Sequence, residues 1–294
     1  MRENRVPGRK IGIIGGSSLY SLDGLKITDK RKVRTPFGDP SDEMVSGVLE
    51  GREVLFMPRH MRNHSLLPTE INFRANIFAF KVMGAGSVIS VSAVGSLKEE
   101  IKPMDIVVVD QFIDRTNQGR STTFFGDGMV AHISFAEPVC SYLKDLICRV
   151  NSGLSSDLHC GGTYVNMEGP AFSTKAESLL YKSWGADVIG MTNMQEARLA
   201  REAGMCYATI ALVTDYDCWR TSSGESTVSA DMVLENLRRG AETAKKMIHN
   251  TVTSMPEVFP CGCKDALRNA IVTKKEAIPG GTLKKLKPII GGFI

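Results

Sequence analysis

A buried strand that ends in two carboxylates constrains the fold of this chain most. The run Tyr207 to Val213 is apolar and long enough to cross a sheet that is covered on both faces, and it stops at Thr214-Asp215-Tyr216-Asp217. In an extended chain Asp215 and Asp217 would share one side. Ligands of open parallel sheets bind outside the carboxyl ends of the strands, but acids at such a place also make turns or cap helices. Taken alone, the pair favours the turn.

The length and composition of the chain suit one α/β domain with a large core. It has 294 residues, of which 43% are hydrophobic. Strand patterns alternate with helical patterns, and Glu50-Gly51 marks an early hairpin. We therefore expect a single α/β domain in residues 1–250, with a mixed, largely parallel central sheet flanked by helices. Residues 251–294, rich in Pro, Gly and Lys, are expected to be a docked or partly disordered tail.

Charge and hydropathy limit the classes of partner. The net charge is +4, and no basic run is interleaved with aromatic residues, so nucleic acid is not an expected partner. Residues 1–10 are polar and charged, and the apolar run Ile11 to Ile14 is too short for a signal core or a membrane span. We expect a cytoplasmic protein without membrane contact.

The seven cysteines are scattered through predicted helices and strands, so most are expected to be reduced and buried. Cys261-Gly-Cys263 has no second Cys or His pair at metal-ligand spacing, and no metal site is predicted. A redox or disulfide role for this pair stays open if the source is a hyperthermophile.

Two further strand ends carry groups suited to an anion. Gly15-Gly16-Ser17 follows the first strand, where backbone amides and a hydroxyl suit phosphate, although a tight turn explains it equally well. Its spacing does not match a dinucleotide fingerprint. Arg59, His60, Arg62 and His64 follow another strand, and the planar guanidinium matches phosphate oxygens. We favour a binding cluster here over a solvated loop.

Several local predictions accompany this outline. Thr69 is expected to cap a helix, Cys160 to Met167 to form one strand, and Asn193 with Glu196 to form a capping box. Residues 111–128 are expected to be a long polar loop, of the kind that is often functional. His132 stands in an apolar context, where a structural histidine is the default.

The strand ends together suggest one site. Ser17, Arg59-His60, Ser92-Ala93 and Thr192 supply hydroxyls, amides and a cation for an oxyanion. The carboxylate pair suits a basic heterocycle, and Met191 can pack against a sugar. The implied chemistry brings bound phosphate to an electrophilic carbon while an acid assists the leaving group.

Six motifs in one order, from about Lys10 to His249, resemble the purine nucleoside phosphorylase family in its trimeric type. They are Ile13-Ile14-Gly15-Gly16-Ser17, Arg59-His60, Ser92-Ala93-Val94-Gly95-Ser96, Glu168-Gly169-Pro170-Ala171-Phe172-Ser173, Gly190-Met191-Thr192 and Thr214-Asp215-Tyr216-Asp217. The resemblance implies phosphorolysis of 5′-methylthioadenosine to adenine and 5-methylthioribose 1-phosphate. It implies no cofactor, since inorganic phosphate is a co-substrate, and a homo-oligomer that is a trimer or a dimer of trimers.

The same resemblance implies roles for individual residues. Asp215 would donate to purine N7, Asp217 would accept from the 6-amino group, and Met191 would lie under the ribose. The phosphate would be held by Ser17, Arg59, His60, Ser92, Ala93 and Thr192. The substrate would also be bordered by His64, Phe172, Ser173, Ala230 and Val233, and by His132 of a neighbouring subunit.

Asp215 must be protonated to act as the acid, and burial beside Asp217 would favour that form. Ala171 and the run Asn193-Met194-Gln195 depart from the family pattern and bear on fine specificity. Three alternatives remain: a broader phosphorylase of adenosine or inosine, a dehydrogenase that uses the first glycine loop, and a non-catalytic nucleoside-binding protein. An apolar pocket at the 5′ end would bind a methylthio group better than a hydroxyl, which argues against the broader phosphorylase.

Overall fold

The computed structural model describes residues 10–16, 22–117, 119–154, 156–220 and 229–294. The strands in these ranges are β1 (Lys10–Gly15), β2 (Lys26–Arg31), β3 (Met44–Leu49), β4 (Arg52–Pro58), β5 (Ala85–Ser96), β6 (Ile106–Val109), β7 (Gln111–Arg115), β8 (Leu158–Cys160), β9 (Thr163–Met167), β10 (Val188–Gly190) and β11 (Cys206–Tyr216). The α-helices there are α1 (Phe73–Val82), α2 (Ser141–Asn151), α3 (Lys175–Ser183), α4 (Asn193–Glu202), α5 (Ala230–Ser254) and α6 (Gly280–Ile290). No helix in these ranges combines the length and apolar character needed to cross a membrane.

The sheet is built around β5, which pairs in parallel with both β1 and β11. On one side the order continues through β4, β3 and β2, where the predicted hairpin of β3 and β4 is present. On the other side β5 pairs with β10, followed by β9 and β7. β11 also pairs with β6, which in turn pairs with β8. The expected mixed, mainly parallel sheet in one α/β domain is confirmed, and parallel pairing brings several strand ends to one edge.

Helices cover both faces of this sheet, which explains why its central strands are apolar without interruption. Ile14 and Met57 pack in a core with α1, α4 and α6. The neighbouring residues Ile13 and Phe56 pack in a second core with α2 and α5. Because successive side chains of a strand point to opposite faces, a doubly covered strand needs apolar residues at every position.

The first helix begins later than the sequence predicted. Thr69 does not cap it: Leu67 to Glu70 form a turn, in which the Leu67 amide donates to the Glu70 carboxylate at 2.9 Å. Asn72 is the cap, and its side-chain oxygen accepts from the Ala75 amide at 3.1 Å. Several polar side chains near a helix start can supply the capping oxygen, and here Asn72, directly before the first helical turn, supplies it.

Two strand predictions were also wrong. Residues 111–115, expected to begin a long loop, form β7, which pairs in parallel with β9 at the sheet edge. The single strand expected from Cys160 to Met167 is two strands, because Gly161 and Gly162 adopt φ of 109° and 146°. These left-handed values, which glycine tolerates, break the extended chain so that β8 pairs with β6 and β9 with β7 and β10.

The C-terminal residues pack onto the domain. Leu267, Ile278, Leu286 and Ile289 are buried in the same core as α1. The predicted boundary at residue 250 falls inside α5, which continues to Ser254. A further link is a disulfide between Cys148 of α2 and Cys160 of β8, which the sequence did not predict.

Candidate active site

The ends of the central strands bring most of the predicted phosphate residues to one edge of the sheet. Gly15 at the end of β1 lies beside Pro58 of β4, and the Arg59 amide donates to the Gly15 carbonyl at 3.0 Å. Ser92 lies on β5 opposite Ala211 of β11. Ser17 lies outside the described residues.

Asp215 and Asp217 are both buried, at 6% and 4% exposure, and both pack against Gly95 of β5. A Cβ on Gly95 would lie 3.1 Å from the Asp215 Oδ2 and 3.4 Å from the Asp217 Cβ. The β5 to β11 register shifts between Val213 and Asp215, which is a bulge at Thr214. Bulges re-aim side chains next to active sites, and here the Asp215 carboxylate and the Asp217 Cβ lie on the same side of Gly95.

The two carboxylates differ in their bonding. Burial, and then the charge of Asp217, raise the pKa of Asp215 to about 6, although the Thr214 hydroxyl, which donates to Oδ1 at 2.7 Å, works against this. The Asp217 Oδ2 is buried and has no hydrogen-bond partner among the described residues. A buried acceptor without a partner is costly, so this oxygen suits a ligand that donates a hydrogen bond.

Arg59 is held in a buried ion pair with Glu196 of α4. Its Nε donates to Oε1 at 2.5 Å and its Nη2 to Oε2 at 3.2 Å, while Ser90 and the Val91 carbonyl accept further bonds. Glu196 therefore does not form the predicted capping box, because its carboxylate points to Arg59 and the Tyr207 hydroxyl rather than to the helix start. The guanidinium is consequently neutralised and fixed by protein groups.

Three further residues of the predicted phosphate set have groups that can donate to an anion. The Ser92 hydroxyl is buried and has no partner among the described residues. Ala93 follows it on β5 and is half-buried. Thr192 is buried at the N-terminus of α4, and its hydroxyl makes no capping bond. Helix N-termini favour anions because their first amides have no partner within the helix.

His60 is neutral at pH 7. Burial, and then the positive charge of Arg59, lower the pKa of His60 to about 4. The Leu66 carbonyl lies 2.8 Å from Nδ1, so Nδ1 carries the proton and Nε2 is an acceptor. His60 can therefore bond a protonated phosphate oxygen. His64 stacks on it, with ring centroids 4.5 Å apart, but is itself exposed.

Arg120, from the segment expected to be a loop, holds Met191 in place. It donates to the Met191 carbonyl at 2.5 Å, to the Glu168 carboxylate at 2.8 Å and to the Glu168 carbonyl. A Cβ on Gly169 would lie 2.5 Å from the Met191 sulfur, so this glycine leaves room for the thioether. The motif that begins at Glu168 therefore packs directly against Met191.

The residues expected at the 5′ end of the substrate lie in three places. Phe172 is exposed and Ser173 half-buried, and the Ser173 carbonyl accepts from the thiol of Cys218, which adjoins Asp217. Ala230 and Val233 lie in the first turn of α5. His132 is exposed, bonds through its backbone to Ala270, and lines a cavity formed with C-terminal residues of its own chain.

Sequence reasoning missed three buried residues of this network: Arg120, Asn193 and Glu196. The Asn193 amide donates to the hydroxyls of Ser90, Tyr207 and Thr209, at 2.7 to 3.2 Å, and so joins α4 to β5 and β11. For Asn193 and Glu196 the available signal was a polar residue where the helix pattern required burial, since such groups are buried only when paired. Arg120 lies outside the helices and gave no such signal.

The fold places a second pair of cysteines beside Cys261 and Cys263, which local spacing in the sequence did not indicate. Cys261 and Cys263 lack a partner pair nearby in sequence, but the fold places Cys140 and Cys206 beside them. The four Sγ atoms lie within 4.8 Å of one another. The residues that complete the set precede Cys261 by more than fifty positions, so no local spacing could reveal them.

The fold and the groups at this edge of the sheet fit an enzyme that cleaves nucleosides. Comparison with known protein families gives the same class. The model of the phosphorylase superfamily matches residues 10–253, and the chain belongs to this superfamily. The resemblance drawn from the six motifs is thereby confirmed, and the dehydrogenase alternative is wrong.

Similar proteins cover almost the whole chain. It is 53% identical over 284 residues to S-methyl-5′-thioadenosine phosphorylase of Koribacter versatilis (strain Ellin345), covering 97% of this chain and 96% of the relative. The protein of the same name from Geobacter sulfurreducens is also 53% identical, with 97% and 99% coverage.

Two solved structures with similar folds are also methylthioadenosine phosphorylases. A methylthioadenosine phosphorylase sourced from an Antarctic soil metagenomic library has a TM-score of 0.89 at 46% identity, covering 96% of this chain and 99% of that one. A methylthioadenosine phosphorylase from Schistosoma mansoni in complex with adenine has a TM-score of 0.79 at 37% identity, with 83% and 91% coverage.

Proposed function

We propose that this chain catalyses the phosphorolysis of S-methyl-5′-thioadenosine to adenine and 5-methylthioribose 1-phosphate. The observation that carries the proposal is the buried pair of Asp215 and Asp217, with one carboxyl of raised pKa and one acceptor oxygen without a protein partner. The names of the relatives with about half of their residues identical support the same substrate.

In the proposed reaction an oxygen of phosphate forms a bond to C1′ of the ribose, and the bond from C1′ to N9 of the purine breaks. The electron pair of that bond goes to the purine, which gains a proton at N7 from Asp215. Positive charge develops on the sugar as the bond breaks, so an adjacent phosphate dianion stabilises the transition state. Proton donation by a positioned acid makes the purine a better leaving group.

The phosphate is proposed to bind between Ser17, Arg59, His60, Ser92, Ala93 and Thr192. The unpartnered Ser92 hydroxyl and the N-terminus of α4 supply donors, and neutral His60 accepts from a protonated phosphate oxygen. Arg59, already paired with Glu196, contributes a fixed guanidinium rather than an unneutralised charge. This balance suits an anion that must leave the site again as part of a sugar phosphate.

The purine and the sugar are proposed to lie between the two acids and Met191. Asp217 accepts from the 6-amino group of adenine, because a carboxylate accepts hydrogen bonds but cannot donate to a carbonyl. Met191 packs under the ribose. The 5′ end is proposed to lie near His64, Phe172, Ser173, Ala230 and Val233, and near His132 of a neighbouring subunit. No cofactor is proposed, since phosphate is a co-substrate, and the cytoplasmic location and homotrimer stay predictions.

The deciding experiment measures release of free base from four nucleosides, with and without phosphate. Adenine should be released from methylthioadenosine only when phosphate is present, at a rate above those for 5′-deoxyadenosine, adenosine and inosine. Comparable rates with inosine would favour the broader phosphorylase. Binding of methylthioadenosine with no turnover under any phosphate concentration would favour the non-catalytic alternative.

A further inference from the structure

Four cysteine sulfurs meet at the end of β11 that is opposite to the acids. Cys206 begins this strand, Cys140 directly precedes α2, and Cys261 and Cys263 belong to the C-terminal segment. Their Sγ atoms lie within 4.8 Å of one another, and those of Cys206 and Cys261 are 3.3 Å apart. Three of the four residues are buried and Cys261 is half-buried.

This spacing matches a single tetrahedral metal ion. Zinc lies about 2.3 Å from a cysteine sulfur, so the sulfurs of a tetrahedral site are separated by roughly 3.8 Å. Four thiolates without oxygen or nitrogen ligands are typical of structural zinc, since soft ligands select it over harder cations. We propose that Cys140, Cys206, Cys261 and Cys263 bind one Zn²⁺ ion that fastens the C-terminal segment to the sheet.

Charge and access are also consistent with this site. On binding, Zn²⁺ forms four bonds to sulfur, and the protons of the thiols pass to solvent, which leaves a net charge of −2. Arg201 and Arg268 line a cavity of about 500 Å³ that also reaches Cys140, Cys261 and Cys263. The cavity provides an entry path for the ion and places Arg201 beside the dianionic centre, whereas Arg268 is paired with Asp265, which lines the same cavity.

The position of the site assigns it a structural role. Cys206 and Asp215 are at opposite ends of β11, nine positions apart, which corresponds to roughly 30 Å in a strand. The ion would connect β11 and α2 to the segment that continues to α6, whose apolar residues complete the core beside α1. This inference does not depend on the proposed substrate.

Metal analysis of the reduced full-length protein tests the proposal directly. After incubation with Zn²⁺ and removal of unbound ion, we expect about one zinc per chain by mass spectrometry. Cys206→Ser and Cys263→Ser should each lose at least about tenfold in zinc affinity, whereas Cys218→Ser, outside the cluster, should keep the ion. Zinc retained at full affinity in both cluster variants would overturn the assignment.

A second measurement needs only the wild-type chain and holds if the variants do not fold. Co²⁺ in place of Zn²⁺ should give sulfur-to-metal charge-transfer bands and the intense visible absorption of a tetrahedral thiolate site. Bound metal should also protect the four thiols from alkylation and raise the melting temperature. Failure of the reduced chain to bind either ion overturns the proposal, as does a Cys206 to Cys261 disulfide that persists in reductant.

Discussion

Asp215 and Asp217 differ by environment rather than by residue type. Burial beside a second carboxylate raises the pKa of Asp215, while Asp217 presents a buried oxygen without a partner among the described residues. Perturbed acids in such pairs are typical of catalytic sites, where one carboxyl is kept ready to donate a proton. This difference is the basis for proposing Asp215 as the acid and Asp217 as the acceptor that selects the purine.

Replacement of the proposed acid should remove most of the activity. Asp215→Asn keeps the oxygen that accepts from Thr214 but has no proton to give, so kcat with methylthioadenosine should fall by about 10²- to 10⁴-fold. Steady-state adenine release measures this, and calorimetric binding of the substrate verifies that the pocket is intact. Near-normal turnover would contradict the general-acid role.

The same substitution should change how stability depends on pH. Because the folded-state pKa of Asp215 is raised to about 6, the folded chain binds more protons than the unfolded chain between pH 4 and pH 6. Its stabilising contribution is thus present in acid and is lost as pH rises through 6. Relative to Asp215→Asn, wild type should lose about 3 kcal/mol of unfolding free energy over this window.

Denaturant unfolding of both proteins at pH 4 to 8 measures the difference. The exposed substitution Asp23→Asn controls for the loss of one negative charge and should follow wild type across the range. A difference between wild type and Asp215→Asn that stays constant with pH would show that Asp215 carries no raised pKa.

Asp217 should decide which purine is accepted. An Asn at this position can donate to the 6-oxygen of hypoxanthine, so Asp217→Asn should lower the preference for methylthioadenosine over inosine by about 10²-fold. The ratio of kcat/KM values measures it. Asp217→Ala is the matched control, because it should lose activity on methylthioadenosine without gaining any on inosine. An unchanged ratio in the Asn variant would remove Asp217 from base selection.

At the scale of elements, α4 is fixed to the sheet by the ion pair of Arg59 and Glu196. Both side chains are almost fully buried, at 4% and 0% exposure. Glu196→Gln leaves the guanidinium buried without its counter-charge, so the free energy of unfolding should fall by about 3–5 kcal/mol and KM for phosphate should rise. The exposed Glu235→Gln should stay within about 0.5 kcal/mol of wild type.

The strand ends were predictable from the sequence because each buried strand is an apolar run with a sharp polar stop. The run Tyr207 to Val213 was predictable as a strand from its own residues, although β11 continues through Asp215 to Tyr216. The role of the two acids needed the other strand ends. The partners of the polar residues were not predictable. Glu196 has the spacing of a helix cap, but its carboxylate binds Arg59, which lies 137 positions away in sequence.

The cysteines show the same limit at longer range. Local spacing is informative only when all ligands come from one segment, as in a zinc finger. Here Cys140, Cys206 and the Cys261-Gly-Cys263 pair come from three elements that only the folded sheet brings together. β7 was missed for a related reason: the partly polar run Gln111 to Arg115 is strand-like only because β9 lies beside it.

For the whole molecule, the position of His132 bears on whether a single chain supplies every residue of the substrate site. His132 is exposed and lines a cavity with C-terminal residues of its own chain, so it is positioned on the outer surface. If His132 borders the substrate of a neighbouring subunit, His132→Ala should raise KM for methylthioadenosine about tenfold or more while chemistry on bound substrate continues. The assembly is then required for tight substrate binding.

Mixing two defective variants tests this arrangement. In a ring built from equal amounts of Asp215→Asn and His132→Ala chains, about a quarter of the sites combine an intact Asp215 with an intact His132 of the adjacent chain. Activity at low substrate should therefore exceed the mean of the two separate variants after subunits exchange. Equal activity before and after exchange, with sedimentation verifying that mixed oligomers formed, would place His132 outside the neighbouring site.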